Sequence, residues 1–484
     1  MVAAPNSPQL STQPAWSRLF ANPARPFDLT PLLVLEGAIP PGLRGSLFRN
    51  GPGRLTRGRQ AMGHWFDGDG GILGVYFTEA GAQAQYRYVE TPYFQQEAAA
   101  ESLIYPNYGT LALGQIWQRW GKPAKNSANT SVLPLGDRLL ALWEGGKPYG
   151  LNAQTLKTLG EMDLGFAHSS DTFSAHHKIQ PETGEIYNFG VTFGPKATFQ
   201  LYRCHPQGEV SQQTHFSVPG LKGLPLVHDF VLAGDYLVFC IPPVRLQLVP
   251  TLLGLKTVSD ALQWRPELGT TIVIIDRHTL QPISFCQQEA WFQWHFTNGY
   301  VDDHGEIVLE MVRFPDFASN QQFVEIPQGK IHTYTKGTLW RYRLAPKTAK
   351  VIEAYEICDR SCEFPITLES RTGQPWLKTF MGVHRQETDI GHEIINAIAA
   401  FDHRTETFTM ADMGANHYPS EPIPVQNPQN SDEIWLLTVV FNAPANRSEL
   451  RIYGGDRLEA EPLCILEFPE IIPPSFHGKW QPAL

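Results

Sequence analysis

Residues 174–190 read SAHHKIQPETGEIYNFG and combine a tight turn with two adjacent histidines. In the turn, Pro181 presets the φ angle that starts it, and Gly184 accepts the positive φ that closes a hairpin. The stretch therefore predicts two antiparallel strands. Since side chains alternate between the faces of a strand, only one of His176 and His177 can face a central site. We take His176 as the first candidate metal ligand, on the register of the strand alone.

Six more polar residues lie in similar apolar, strand-like surroundings, and these are His228, His295, His477, Glu144, Glu363 and Glu421. From His176 onward, all but Glu144 recur at intervals of 52, 67, 68, 58 and 56 residues. A mean step of about 60 residues is near the range of β-propellers, in which the innermost strands all face one axis. We interpret each step as one blade.

The composition excludes several classes of protein. The 484 residues carry 38 Lys and Arg against 48 Asp and Glu, a net charge of −10, and no basic run suited to phosphates, so nucleic acid is not an expected partner. Six cysteines without a CxxC pair, and no signal-peptide pattern, predict a reducing, cytoplasmic compartment. No apolar run approaches the roughly 18 residues of a membrane-spanning helix.

Most of the chain has short β-type runs separated by turns, such as TIVIIDRHTL and GEIVLEMV. We expect residues 1–26, which are rich in proline, to form a loose N-terminal extension, because they cannot bury enough apolar surface. Residues 27–484 are predicted to form a single all-β domain, a seven-bladed β-propeller with a cap of loops and helices over an axial metal site.

Residues 241–266, IPPVRLQLVPTLLGLKTVSDALQWRP, interrupt the rhythm of strands. Large aliphatic side chains crowd together there, namely Leu246, Leu248, Val249, Leu252, Leu253 and Leu255. Such a segment can lie in a membrane interface, cap a hydrophobic entrance, or pack on the core as an ordinary helical excursion.

Four neutral imidazoles around one ion leave two positions of an octahedron open, which suits a redox metal that takes up dioxygen or substrate. Each imidazole offers one nitrogen to the metal and donates the other N–H, so a carboxylate beside it fixes its orientation. Glu144, Glu363 and Glu421 are the candidates for this role. Three carboxylates for four histidines leave one ring without such a partner.

Ten motifs, in this order, resemble those of the carotenoid cleavage oxygenases, and most of all the cyanobacterial apocarotenoid and carotenoid oxygenases: EGAIPPGLRGSLFRNGPG, FDGDGG, NSANTSV, LALWEGGKPY, SAHHKIQPETGE, VHDFVL, WHFTNGY, CEFPIT, NRSELRIYGG and EPLCILEFPEIIPPSFHGKW. The resemblance covers the chain from about Pro31 to Trp480. It implies a seven-bladed propeller with Fe(II) on its axis and O2 as co-substrate. The implied iron ligands match His176, His228, His295 and His477, and the glutamates beside them match Glu144, Glu363 and Glu421.

The resemblance also implies residues of the substrate and oxygen pocket. Thr130 matches a threonine whose methyl group crowds one open iron position, and Trp143 and Phe364 resemble aromatic residues that line the tunnel, although plain core packing is the alternative for both. Two departures stand out. His177 follows the first histidine where the family usually has proline, and Val301 stands where the family tends to an acid.

The function that these features imply is a non-haem Fe(II) dioxygenase. It would cleave a C=C bond of a lipophilic polyene, a carotenoid or apocarotenoid, to aldehyde or ketone products such as retinal-type apocarotenoids. Within residues 241–266, the Leu-rich segment from Leu246 to Leu255 resembles the family's membrane-docking patch, so we expect a cytoplasmic protein that associates peripherally with membranes through 241–266. One alternative is a stilbene-cleaving oxygenase, in which a buried lysine and tyrosine anchor the phenol; Lys125 would be the lysine. The other is a non-catalytic propeller that binds a partner protein.

Overall fold

The computed structural model describes residues 13–194 and 196–483. These residues are folded mainly as antiparallel β-strands, which confirms the predicted class. The described strands form seven sheets of four to six strands and two smaller sheets. We number the larger sheets 1 to 7.

The first four sheets use strands from residue 27 to residue 288, together with the C-terminal strand. Sheet 1 contains, across its width, Phe27–Pro31, Gly81–Tyr88, Asp69–Thr78, Gly45–Arg54 and His477–Pro482. Sheet 2 contains Thr158–Glu161, Tyr149–Asn152, Arg138–Leu142 and Ser131–Leu135. Sheet 3 contains Lys178–Ile179, Ile186–Phe193, Ala197–Cys204 and Val210–Phe216. Sheet 4 contains Val231–Ala233, Tyr236–Ile241, Thr270–Asp276 and Gln281–Gln288.

The remaining sheets follow in the C-terminal half. Sheet 5 contains Phe296–Val301, Ile307–Arg313, Thr338–Ala345 and Lys350–Cys358. Sheet 6 contains Cys362–Ile366, Lys378–Val383, Ala397–Asp402 and Thr407–Ala411. Sheet 7 contains Leu33–Gly37, Cys464–Glu467, Arg447–Gly454, Asn430–Asn442 and His417–Pro419, and Ile423–Asn427 also pairs with its long strand. The small sheets are Leu224–Pro225 with Val244–Leu246 and Leu262–Trp264, and Thr56–Arg57 with Gln60–Ala61.

The helices of the described residues are short; two precede the first strand, and the others lie between strands. The α-helices are Arg18–Ala21, Pro92–Ala100, Ile116–Arg119, Leu248–Leu252, Val258–Ala261 and Ser319–Glu325. The 3-10 helices are Ala15–Ser17, Trp65–Asp67, Pro266–Leu268, Ile326–Gln328 and Glu369–Arg371. None of the described helices is both long and apolar enough to cross a membrane.

Consecutive sheets pack against each other through apolar faces. In the strand Tyr236–Ile241, Leu237 and Phe239 pack against sheet 3, whereas Val238 and Cys240 pack against sheet 5. Alternation along the strand thus buries both of its faces, which explains why its sequence is a continuous apolar run rather than an alternating one. Similar clusters join every consecutive pair of sheets from 1 to 7, and another joins sheet 7 to sheet 1.

The two ends of the chain interlock in sheets 1 and 7. The strand His477–Pro482 pairs with Gly45–Arg54, so that His477 lies opposite Asn50. The strand Leu33–Gly37 pairs with Cys464–Glu467. These pairings carry the last histidine of the sequence to the N-terminal sheet.

The proposed N-terminal extension, 1–26, is described only from Gln13 onward. Between residues 15 and 21 it is not loose, because Trp16 is fully buried and packs with Leu19, Phe20 and Trp65 in one apolar cluster. Large apolar side chains therefore override the proline-rich composition here. The division into an extension and a domain from residue 27 stays a prediction.

The hairpin at 174–190 is shorter than expected. Its strands are Lys178–Ile179 and Ile186–Phe193, and Gly184 has the positive φ, 70°, that closes the turn. The histidines at 176 and 177 precede the first strand. Strict alternation along a strand therefore does not by itself decide their directions.

Candidate metal centre

Four histidines from four different sheets converge in the structure. They are His176, His228, His295 and His477, and one ring nitrogen from each lies within 4.8 Å of those of the others. His477 is the first residue of an edge strand of sheet 1. The other three histidines lie one to three residues before the edge strands of sheets 3, 4 and 5, respectively. The edge strands of sheets 4, 5 and 6 contact one another in turn, so side chains at these strand ends meet at one place.

Three of the rings have a glutamate on the side away from this meeting point. Nδ1 of His295 lies 2.5 Å from Oε2 of Glu363. Nδ1 of His477 lies 2.9 Å from Oε1 of Glu421. A third carboxylate, that of Glu144, contacts Nδ1 of the ring at position 228. Each glutamate can therefore fix the tautomer that carries the proton on Nδ1 and leaves Nε2 free.

The free nitrogens are placed for a metal ion. Nε2 of His228 lies 3.2 Å from Nε2 of His295, and Nε2 of His176 is buried without a hydrogen-bond partner. A buried polar atom without a partner is costly unless something unseen satisfies it. Neutral imidazole nitrogens are ordinary ligands of transition metals, so these residues fit a divalent ion of that class.

Burial keeps two of the four candidate ligands neutral. Burial lowers the pKa of His176 and of His295 well below the ordinary value, and the neighbouring imidazoles lower it further. For His228 burial also acts to lower the pKa, but the nearby carboxylates, with Glu144 foremost, together outweigh burial, and the net shift is upward. Burial raises the pKa of Glu363 to about 8, a shift that a nearby divalent cation would oppose.

Arg49 supports the glutamate at position 421, and we did not predict it from the sequence. Its side chain is fully buried; Nη1 donates to the backbone carbonyl of Glu421 at 2.8 Å and Nε donates to Oγ of Ser475 at 2.6 Å. Burial lowers the pKa of Arg49 to about 10, while Glu421 acts to raise it. The sequence signal that could have identified Arg49 is its charge within the strand GSLFRNGPGR, which is largely buried.

Phe364 lies directly on the histidine group. Its ring stacks on His295 with centroids 5.4 Å apart and meets His477 edge-on at 5.5 Å. Its backbone has φ 54°, a conformation that a bulky residue rarely adopts, and its N–H donates to the side chain of Glu363. Backbone strain of this kind clusters at functional sites, because the surrounding structure must hold it.

The other two residues proposed for the pocket sit differently. The backbone carbonyl of Thr130 accepts the N–H of His477 at 3.3 Å, and its hydroxyl donates to Oδ1 of Asn129 at 3.1 Å. Trp143 is half-buried. Its ring lies against Gly145, where a Cβ would clash with it. Their roles toward substrate and oxygen stay predictions.

A polar cavity opens beside the four histidines. His176, His295, His477 and Phe364 line it on one side, and its polar lining includes His177, Lys178, Asp229, Asn298, Glu369 and Lys479. His177 therefore lies at the cavity but outside the group of four, and both of its ring nitrogens are buried without a hydrogen-bond partner. The structure thus separates the two adjacent histidines, which sequence register alone could not do.

Lys125, the candidate phenol anchor, is engaged elsewhere. Its ammonium lies 2.5 Å from Oδ1 of Asp69 and 2.8 Å from Oε2 of Glu97, and all three side chains are buried. Glu97 in turn accepts the backbone N–H groups of Ile104 and Tyr105. This lysine is a structural cation that links three segments.

Comparison with known proteins places the chain in a family. The sequence model of the family described as retinal pigment epithelial membrane protein matches residues 20–482. The chain belongs to the carotenoid cleavage oxygenase family. This finding confirms the resemblance carried by the ten sequence motifs.

Two curated relatives show the range of the family. The apocarotenoid-15,15'-oxygenase of Synechocystis sp. is 31% identical over 459 residues, which cover 92% of each chain. The isoeugenol monooxygenase of Pseudomonas putida is 26% identical, and the alignment covers 98% of each chain. Among solved structures, a glutamate-to-glutamine variant of Synechocystis apocarotenoid oxygenase matches with a TM-score of 0.89 at 29% identity, over 97% of this chain and 98% of that one.

Proposed function

We propose that the protein is a non-haem Fe(II) dioxygenase of the carotenoid cleavage oxygenase family, which splits a C=C bond of a carotenoid or apocarotenoid. Both atoms of O2 would enter the products, one in each new carbonyl group. The observation that carries the proposal is the convergence of four histidines, His176, His228, His295 and His477. The 31% sequence identity of this chain to an apocarotenoid oxygenase supports the choice of substrate class.

We infer the full architecture as well. Seven large sheets, apolar clusters between each consecutive pair and a further cluster between sheets 7 and 1 support a closed seven-bladed β-propeller. The short helices and loops that surround Trp65, Phe66 and Phe323 would be its cap.

The residues of the site have three different roles, namely metal binding, orientation of the imidazoles and apolar cover. Fe(II), when bound by the four imidazoles, would activate dioxygen. Glu144, Glu363 and Glu421 hold three of the imidazoles by their Nδ1 atoms, so that the Nε2 atoms stay free for the ion. Phe364 covers two of the rings with an apolar face, which suits a polyene and excludes water.

We propose that the protein takes its lipophilic substrate from a membrane surface, as a cytoplasmic protein bound there peripherally. Residues 241–266 include two short strands and two short helices, and only part of the segment is exposed. Leu246 and Leu248 pack on the core, whereas the exposed apolar side chains are those of Val249, Leu252, Leu253 and Leu255.

A second exposed apolar segment lies beside the first and was missed in the sequence. It consists of Leu113, Ile116, Trp117 and Trp120. Nε1 of Trp120 donates to the carbonyl of Leu253 at 2.9 Å, and Nη1 of Arg119 donates to that of Gly254 at 3.1 Å. We call residues 113–120 and 249–255 the apolar patch. Tryptophan suits the interface of a membrane because one end of its ring is polar.

A phenolic alkene is the second candidate substrate, because resveratrol cleavage oxygenase 1 of Aspergillus fumigatus is 26% identical over 98% of this chain. The engagement of Lys125 with two carboxylates speaks against it as the phenol anchor. A non-catalytic scaffold has no use for four converging imidazoles.

The proposal is tested by incubating the Fe(II)-loaded protein with a C30 apocarotenal, β-carotene and a hydroxystilbene under 18O2, followed by mass analysis. We expect two carbonyl products from a carotenoid or apocarotenoid, each labelled with 18O when trapped rapidly. Exclusive cleavage of the hydroxystilbene would show that the substrate is a phenolic alkene and not a carotenoid or apocarotenoid. Absence of cleavage by an iron-loaded protein on all three substrates would contradict the proposal.

A further inference from the structure

His176 differs from the other three candidate ligands. The rings at 228, 295 and 477 each have a glutamate against Nδ1, whereas the nearest acid to Nδ1 of His176 is Asp229, whose Oδ1 lies 3.9 Å away. This distance is too long for a hydrogen bond. It is short enough for a strong electrostatic interaction inside a protein.

Asp229 is held firmly in this position. Its side chain is 2% exposed, and Oδ1 lies 2.8 Å from Nζ of Lys178. The backbone N–H of Phe230 donates to Oδ1 at 2.8 Å, and that of Phe296 donates to Oδ2 at 3.0 Å. Three donors therefore fix the carboxylate, and both Asp229 and Lys178 line the polar cavity.

We propose that the Asp229–Lys178 pair positions His176 for the metal, in place of a fourth glutamate. The inference rests on the proposed metal site. The negative oxygen favours the proton on Nδ1, which leaves Nε2, the buried atom without a partner, as the ligand atom. Lys178 neutralises the carboxylate, so the site gains orientation of the ring without a further net negative charge.

The net charge of the metal site explains why the acid beside His176 is paired with a lysine. Three glutamates outweigh a divalent ion by one negative charge, and Arg49, 3.9 Å from Oε2 of Glu421, offsets that charge. A fourth unpaired carboxylate would leave a buried excess charge, which is costly in a protein interior. Lys178, two residues after His176, removes that excess because its ammonium pairs with Asp229.

The pair also predicts a specific effect of each single substitution. Asp229→Asn leaves the ammonium of Lys178 unbalanced beside the metal site and removes the anionic acceptor. Lys178→Met frees Oδ1 to accept directly from Nδ1 of His176. The first change should weaken metal binding, whereas the second should not.

The test is the affinity of the metal-free protein for Co(II), measured by equilibrium dialysis and by the visible absorption of the bound ion. We expect Asp229→Asn to lower the affinity 10- to 100-fold, which is the usual effect of removing the partner of a metal-bound histidine. We expect Lys178→Met to bind as tightly as the wild type or more tightly. The double variant should bind nearly as weakly as Asp229→Asn, because it lacks the same anionic acceptor, and it should recover only the part of the loss that the unbalanced ammonium causes.

A purely structural role would look different. Loss of the hydrogen bonds to Phe230 and Phe296 would lower the melting temperature of the metal-free protein in Asp229→Asn and in the double variant, but it would leave the Co(II) affinity of both close to that of the wild type when measured well below those temperatures. Asp235→Asn is the matched control, because Asp235 is an exposed acid that also pairs with a cation. The inference is overturned if Asp229→Asn binds Co(II) like the wild type, or if the double variant does so, because Asp229 would then only neutralise Lys178. Failure of the wild type to bind Co(II) would instead contradict the proposed metal site.

Discussion

Nδ1 of His477 lies 2.9 Å from Oε1 of Glu421, whose other oxygen accepts the backbone N–H of Gly478 at 2.8 Å. One carboxylate thus holds both the ring and the backbone of the strand that brings the C-terminal part of the chain to the site. Arg49, from the N-terminal strand paired with it, donates to the backbone of the same glutamate. The orientation of the imidazole therefore depends on contacts among three distant parts of the sequence.

The glutamates should support the metal site without binding the ion. We expect Glu363→Gln and Glu421→Gln to keep measurable iron with activity lowered on the order of 10- to 100-fold, because glutamine keeps the volume and one acceptor oxygen but loses the charge. His295→Ala and His477→Ala should lose both iron and activity. Elemental analysis of the purified variants separates the two groups. Gln variants as free of iron as the Ala variants would make a glutamate a direct ligand.

The adjacent histidines should behave differently. We expect His176→Ala to lose iron and His177→Ala to keep it, because only His176 belongs to the converging group, although both line the polar cavity. Iron content and melting temperature of each variant provide the measurement. Retention of iron by His176→Ala together with its loss in His177→Ala would exchange the two assignments.

The apolar patch should bind membranes through both of its segments. Replacing Leu252 and Leu253 by Ser, or Trp117 and Trp120 by Ser, should each weaken sedimentation with liposomes, at roughly 25 cal/mol per Å² of apolar area lost. Iron content should not change.

The matched control for this membrane experiment replaces Ile283 and Phe285, which are exposed apolar residues on the edge strand of sheet 4, outside the patch. Equal loss of liposome binding in the control would show that exposed apolar area in general, and not the patch, drives the association.

Lys125 should matter for stability and not for the choice of substrate. Lys125→Met removes the shared cation of two buried carboxylates, so we expect the free energy of unfolding to fall by about 3–5 kcal/mol. Urea unfolding measures this loss, and Lys347→Met, at an exposed lysine, should change it by less than about 0.5 kcal/mol. A marked shift in the ratio of hydroxystilbene to apocarotenal turnover would revive the phenol-anchor role.

Asp67 should make stability depend on pH. Burial raises the pKa of Asp67 from 3.8 to about 6, against the lowering effects of Thr110 and Gly109. The folded protein thus binds this proton more tightly than the unfolded chain, so the contribution to stability is present below about pH 4 and is lost as the pH rises through about 6.

Urea unfolding of the wild type and Asp67→Asn at several pH values tests this dependence. The wild type should lose up to about 3 kcal/mol relative to Asp67→Asn between pH 4 and pH 7, since a tenfold difference in proton affinity between the folded and unfolded states corresponds to about 1.4 kcal/mol. A difference between the two proteins that stays constant over this range would contradict the assignment.

The sequence alone determined the mainly β class, the family and the candidate ligands. Strand alternation and turn residues act over a few positions, and they are visible in any single stretch such as 174–190. The recurrence of polar residues in apolar surroundings then marked His176, His228, His295 and His477 before any contact among them was known. Each of these signals is local or periodic, which is why one sequence suffices to find it.

The tertiary structure decided which side chains meet. The pairing of Asp229 with Lys178, the support of Glu421 by Arg49, and the contact of Trp120 with Leu253 join residues on different elements. It also assigned Lys125 to Asp69 and Glu97, and separated His176 from His177 where the expected strand does not form. Such contacts depend on how whole sheets and loops pack, because periodicity fixes the face that a residue occupies but not the partner that faces it.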